Sequence, residues 1–132
     1  MLSGRIYQYS DGTIGAVWTQ GFDDANTFPD RGTGYNYFDG ADWGDIPTTR
    51  IESVKCGWPN IAPWGANGEV GISHNGVDGL QLYKRETKGT GTWTISLYQG
   101  PDPIQESPTW PRLATGGENN ETIHLLYNSY DA

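Results

Sequence analysis

Apolar and polar residues alternate along this chain in short runs, and each run stops at a turn rich in glycine, asparagine or proline. Ile6, Tyr7 and Tyr9 form the first run, closed by Ser10-Asp11-Gly12, and Thr13 to Gln20 follows with Val17 and Trp18. A period of two is that of a half-buried strand, so these two runs predict a hairpin. After a polar loop over 21–32, Tyr35-Asn36-Tyr37-Phe38 alternates and breaks at Asp39-Gly40; Arg50 to Lys55 alternates again. The next stretch predicts four strands, over 58–62, 69–74, 80–85 and 92–98. Gly65-Ala66-Asn67-Gly68, Asn75-Gly76-Val77-Asp78-Gly79 and Lys88-Gly89-Thr90-Gly91 separate them. A proline-rich connector over 100–108 leads to a last pair of strands, starting at Trp110 and running over 122–128. No segment sustains a 3.6-residue apolar period, so no helix of consequence is expected.

The runs also repeat. Gly57-Trp58-Pro59-Asn60-Ile61-Ala62 returns as Thr109-Trp110-Pro111-Arg112-Leu113-Ala114, with a glycine (Gly65, Gly117), an asparagine (Asn67, Asn119) and a glutamate (Glu69, Glu121) at the same offset. Asp11 to Val17 echoes Asn67 to Ser73, and Arg31 to Tyr35 echoes Lys88 to Thr92. Periods of this length mark stacked or radial architectures, in which each unit buries its apolar face against a neighbour. The expected fold is therefore all-β, with antiparallel blade-like four-stranded sheets in approximate units 4–55, 57–99 and 109–130 of a single domain. That amounts to a partial β-propeller of about two and a half blades, whereas a full ring needs about four to eight. Completion by further copies or by the remainder of a longer propeller is expected. A small sandwich with diverged strands is the alternative.

Composition sharpens this picture. The 132 residues include 19 Gly and 8 Pro beside 6 Trp and 8 Tyr, which suits many short strands and argues against disorder. A net charge of −8 with no basic cluster speaks against nucleic acid and anionic membrane surfaces as partners. No apolar run reaches the length of a membrane span, and the opening residues carry no signal-peptide pattern. Cys56 is the only cysteine, so it reads as a small buried hydrophobe.

Trp58-Pro59-Asn60-Ile61-Ala62, Gly68 to His74, Gly89-Thr90-Gly91-Thr92-Trp93 and Arg31 to Gly40 together resemble secreted bacterial β-propellers of the sialidase-like, BNR-repeat type. Phe38-Asp39-Gly40-Ala41-Asp42-Trp43 keeps the Asp, Gly and Trp of that family's Asp-box at altered spacing, and Thr90-Gly91-Thr92-Trp93 keeps only its end. The resemblance implies a propeller scaffold acting outside the cytoplasm, secreted or at the cell surface. No catalytic residue carries over, because Arg5, Arg31, Arg50, Arg85 and Arg112 match no arginine motif of the family.

A non-catalytic binding or scaffold module with a glycan ligand follows as the expected function, and no cofactor is implied. Tryptophan can stack on the C–H face of a sugar or fill the core. Trp58 and Trp110, which the repeat requires, suit packing. Trp64, in a turn the repeat does not require, suits a ligand, with Asn67, His74, Asn75 and Asp78 as polar neighbours at one rim. Trp43 and Trp93 are further stacking candidates. Asp39, Asp42 and Asp45 are calcium candidates, although Asx turns explain them as well. His74 and His124 fall on the same strand of successive units in slightly different register, and hydrogen-bonded strand-end histidines are preferred over a metal pair. Glu69 and Glu121 could serve a glycoside hydrolase only if they faced one cleft about 5–10 Å apart. A hydrolase fragment and a self-association repeat stand as alternatives. Asn120-Glu121-Thr122 has the form of a glycosylation acceptor.

Overall fold

Nine strands carry the alternating runs in a computed structural model that describes residues 4–75, 77–101 and 107–130. β1 (Ile6–Gln8), β2 (Ile14–Gln20) and β3 (Gly32–Phe38) form the first sheet. β4 (Gly57–Trp64), β5 (Gly68–His74), β6 (Leu80–Arg85) and β7 (Thr94–Tyr98) form the second, and β8 (Ser107–Gly116) with β9 (Thr122–Tyr130) the third. All pairings are antiparallel between neighbours in sequence, and there is no helix among the described residues. The fold is all-β, as the alternation predicts. Among the described residues only the second sheet has the four strands expected of each unit, and no sheet closes on itself. Gly76 and residues 102–106 of the expected turn and connector lie outside the described residues.

The second sheet is the middle layer. β4 packs on β2 at one side and on β8 at the other, and β5 also packs on β8. β5 is consequently buried along its whole length. Its alternate residues divide between the two neighbours, because successive side chains of a strand point to opposite faces. Glu69, Gly71 and Ser73 face the first sheet: Glu69 meets Tyr9, Ser73 meets Glu52 of the segment beside β3, and Gly71 is covered by the ring of its β6 partner Tyr83. Val70, Ile72 and His74 face the third. Val70, Ile72, Leu80 and Tyr83 are fully buried.

The tryptophan-proline repeat is real in three dimensions. Trp58 and Trp110 both adopt the left-handed backbone region, at φ 53 and 52, and both sit in irregularities of register, between Gly57 and Asn60 and between Thr109 and Arg112. A bulge leaves an unpaired residue whose side chain is re-aimed, and here the two indoles meet across the sheets at 4.4 Å. The other echoes do not survive. Gly15 faces the second sheet, toward Ile61 and Glu69, whereas Gly71 faces back to the first; a one-residue slip exchanges the faces of a strand. Arg31 to Tyr35 enters strand β3, while Lys88 to Gly91 forms the turn between β6 and β7.

The expected strand over 50–55 is an irregular segment instead. It runs beside β3, with Ile51 N–H donating to the Thr33 carbonyl and Cys56 N–H to that of Arg31. Between them Glu52 turns inward, only 2 % exposed. Its carboxylate accepts from Thr33 N–H at 2.8 Å and from the Thr33 hydroxyl at 2.5 Å. A side chain thus occupies the place of a ladder carbonyl. Ser73 donates to the same carboxylate, which joins this segment to the second sheet. Cys56 is fully buried, and that burial, with the charge of Glu52, pushes its thiol up to about 12. It is the inert, packed cysteine that its strand-like surroundings predict.

Candidate functional site

A cleft of about 410 Å3 opens where the outer strand of the first sheet meets the β6–β7 turn of the second. Tyr35, Asn36 and Tyr37 come from β3, the loop after β3 contributes Asp39, Asp42, Trp43 and Asp45, and Arg85 and Gly89 form the far side. The loop is built by Asp39. Its carboxylate accepts from the backbone N–H groups of Ala41 and Asp42 at 2.8 and 2.9 Å, an Asx turn. Those bonds hold the Asp39 carboxyl below its usual range. The turn brings Trp43 back to pair with Phe38, ring centroids 5.6 Å apart, and Asn36 holds the loop by donating to the Gly44 carbonyl at 3.0 Å. Trp43 remains 50 % exposed. An indole held against one neighbouring ring and half exposed is a ready stacking surface.

The cleft stands on a buried ion pair. Glu69 has no exposure and Arg85 is 8 % exposed. The guanidinium donates to Glu69 Oε1 from Nε at 2.8 Å and from Nη2 at 2.5 Å. Tyr9 donates its hydroxyl to Oε2 at 2.7 Å, and Gly89 N–H reaches Oε1 at 3.2 Å. Arg85 also lies against Trp93 and Tyr35, 4.1 and 4.6 Å from the ring centroids, an arrangement suited to a planar, weakly hydrated cation. Burial, then the Glu69 charge, raises both the Tyr9 and the Tyr35 hydroxyls well above the ordinary tyrosine value. Both phenols therefore stay neutral. Trp93 belongs to this packing and leaves Trp43 as the solvent-facing indole of the pair.

The five residues expected at one rim are divided between two. Trp64 and Asn67 flank the β4–β5 turn, whereas His74, Asn75 and Asp78 flank the β5–β6 turn. A meander puts successive turns at opposite ends, and seven residues of β5 separate these by about 20 Å. None of the five lines the cleft. Trp64 is half-buried, with the Lys84 ammonium 4.7 Å from its ring. Asn67 accepts from the Lys88 ammonium at 2.9 Å. Asn75 holds its own turn together, accepting from the N–H groups of Val77, Asp78 and Gly79. Asp78 is exposed.

His74 closes the junction between the second and third sheets. Its ring lies 5.7 Å from both Trp58 and Trp110, and Arg31 stands 5.0 Å from the Trp58 ring on this side. Burial, and then the charge of Arg31, lowers its pKa, so the folded state favours the neutral imidazole. The unfolded chain, with an ordinary value of about 6.5, takes up the proton more readily. Stability contributed by neutral His74 is fully present above that value and declines as pH falls through the folded one. Denaturation midpoints followed from pH 8 to 5 should fall more steeply for the parent than for His74→Phe; parallel curves would refute this. His124 is not its counterpart. On β9 it pairs with Ala114 of β8 and is exposed, whereas Asn128, opposite Thr109, takes the place of His74 opposite Gly57.

The packing also places the remaining carboxylate candidates. Glu121 does not repeat Glu69: it is exposed in the turn before β9 and accepts from Asn119 N–H at 2.8 Å, while Glu69 is sealed in its ion pair. Asp39, Asp42 and Asp45 share the cleft, yet no metal-binding group of His, Cys, Asp and Glu exists among the described residues, and Asp39 is committed to its Asx turn. No helix is long and apolar enough to cross a membrane. Comparison with protein-family models, with curated proteins and with solved structures finds no match for this chain.

Proposed function

We propose that this chain is a non-catalytic glycan-binding module acting outside the cytoplasm, and that its three sheets are successive blades of a sialidase-like propeller. The observation that carries the binding reading is Trp43, half in water at the mouth of a cleft lined by carboxylates, an amide and phenols, with Arg85 on its far side. The C–H face of a pyranose packs on an indole, and planar carboxylate and amide groups bond its hydroxyls in pairs. Asp42 and Asp45 are exposed and make no hydrogen bond through their carboxylates to the described residues, so they are available to a ligand. The one cation on the wall, Arg85, is spent on Glu69. Three aspartates beside it disfavour an anionic sugar, so the ligand class is a neutral or amine-bearing glycan. The order of the three antiparallel sheets, with the repeated tryptophan-proline bulge at the junction, supports the blade reading.

Trp43→Ala is expected to weaken binding of the best neutral glycan found on an array by about 2 kcal/mol, roughly thirty-fold. Its thermal midpoint should stay near that of the parent, because the indole is half exposed. Binding that survives this substitution, or a preference for sialylated over neutral glycans, would overturn the reading.

A further inference from the structure

The stack of three sheets has two open ends, and the repeat tells what each end resembles. Thr19 on β2 accepts from Trp58 N–H across the first junction, and His74 on β5 meets Trp110 across the second. Each is the residue of its sheet's second strand that touches the tryptophan bulge of the next sheet. Counting back from this shared contact, Ala16 corresponds to Gly71, and their strand partners Ile6 and Ile61 correspond to one another. On the third sheet, Arg112 pairs with Leu126 immediately after the bulge, as Asn60 pairs with Ile72.

These equivalences identify the two most exposed aliphatic residues of the described strands. Ile61 is 2 % exposed, buried against Gly15 of the first sheet, while its counterpart Ile6 is 69 % exposed. Ile72 is fully buried on the face covered by the third sheet, while its counterpart Leu126 is 71 % exposed. Leu126 lies with Arg112, Ala114 and His124 along a shallow depression of about 260 Å3. The outer face of the third sheet therefore repeats the face that β8 covers. The outer face of the first repeats the face that β2 covers.

We infer that these two outer faces join to each other between copies of the chain, head to tail, with the Leu126 face of one molecule on the Ile6 face of the next. The occupant is a second copy because both internal junctions bring together the same two kinds of face. The contact is heterologous, so it generates a ring when the rotation closes. It does not rest on the glycan reading.

Light scattering on the eluting protein tests it with variants that each block one face. The parent should elute as a multiple of 14.5 kDa. Leu126→Lys and Ile6→Lys should each elute as a single chain, with unchanged circular dichroism because both side chains are exposed. Mixed in equal amounts, the two variants should form a species of two chains, since each retains the face the other has lost. Ile46→Lys, an exposed loop position, should leave the parent's mass unchanged. A parent that is a single chain at the highest concentration reached overturns the inference, as do face variants that keep the parent's mass or a mixture that stays monomeric. Loss of glycan binding by Trp43→Ala with an unchanged mass would keep the two questions apart.

Discussion

Alanine at position 69 is expected to destabilise the fold by about 3–5 kcal/mol, the range for removing one partner of a buried ion pair. The reason lies less in what Glu69 contributes than in what it leaves behind. Arg85 is 8 % exposed and held between Trp93 and Tyr35, so it cannot reach water without breaking the wall of the cleft. The Tyr9 hydroxyl and Gly89 N–H lose the same acceptor. Substituting both charges, Glu69→Leu with Arg85→Met, should cost far less than the sum of the single changes, because no unpaired charge remains. Urea denaturation followed by tryptophan fluorescence gives both numbers. A loss below about 1 kcal/mol for Glu69→Ala would mean that Arg85 finds water, contrary to its burial.

Much of this architecture is written in period-two alternation. The sequence placed β6 at its observed bounds and β5 within a residue, since turns of known chemistry bracket both. The tryptophan-proline repeat was legible as a repeat, but the two equivalent bulges it forms were not, because the positive φ of Trp58 and Trp110 interrupts stretches that otherwise alternate like strands. The fourth strand of the first unit failed for a physical reason. Arg50 to Lys55 alternates like a strand, but its inward residue is a carboxylate that takes the N–H a strand would pair. Matching glycines misled for a related reason. Glycine is placed by what approaches it, such as Tyr83 over Gly71, and not by its position in a repeat.

The candidate site was less legible. Trp43 was named among possible stacking residues, but loop length gives no hint that an Asx turn at Asp39 folds it back onto Phe38. Trp64 looked better because the repeat did not require it, yet it ended half-buried beneath Lys84. The buried ion pair is hidden by the repeat, which matches Glu69 with Glu121 and leaves Arg85 without a role. Tyr83 and Arg85 share the inward parity of β6, as Glu69 does on β5, and an ionised group at an inward position implies a partner. That signal was present in the alternation. Pairing Glu69 with Arg85, rather than with the distant Glu121, follows from the β5–β6 register, in which the two stand directly opposite.

The same logic applies to Glu52, where no basic partner stands on the carboxylate among the described ion pairs. Its oxygens are satisfied by hydrogen-bond donors from both neighbouring sheets, Thr33 from the first and Ser73 from the second. The Tyr83 hydroxyl donates to Thr33 Oγ1 at 3.4 Å and extends the chain. Glu52→Ala leaves a buried backbone N–H and two hydroxyls to find new acceptors in a dry space. At about 1–3 kcal/mol for each buried group left unsatisfied, and with partial rescue of the rotatable hydroxyls, the expected loss is about 3 kcal/mol. Glu52→Gln retains one carbonyl acceptor and the side-chain volume, so it should lose clearly less. The alanine change should also loosen segment 50–56, and with it Cys56, whose thiol should then react with a disulfide reagent under native conditions while the parent's stays protected. If Glu52→Ala unfolds like the parent and Cys56 remains protected, the carboxylate is not the link between this segment and the two sheets.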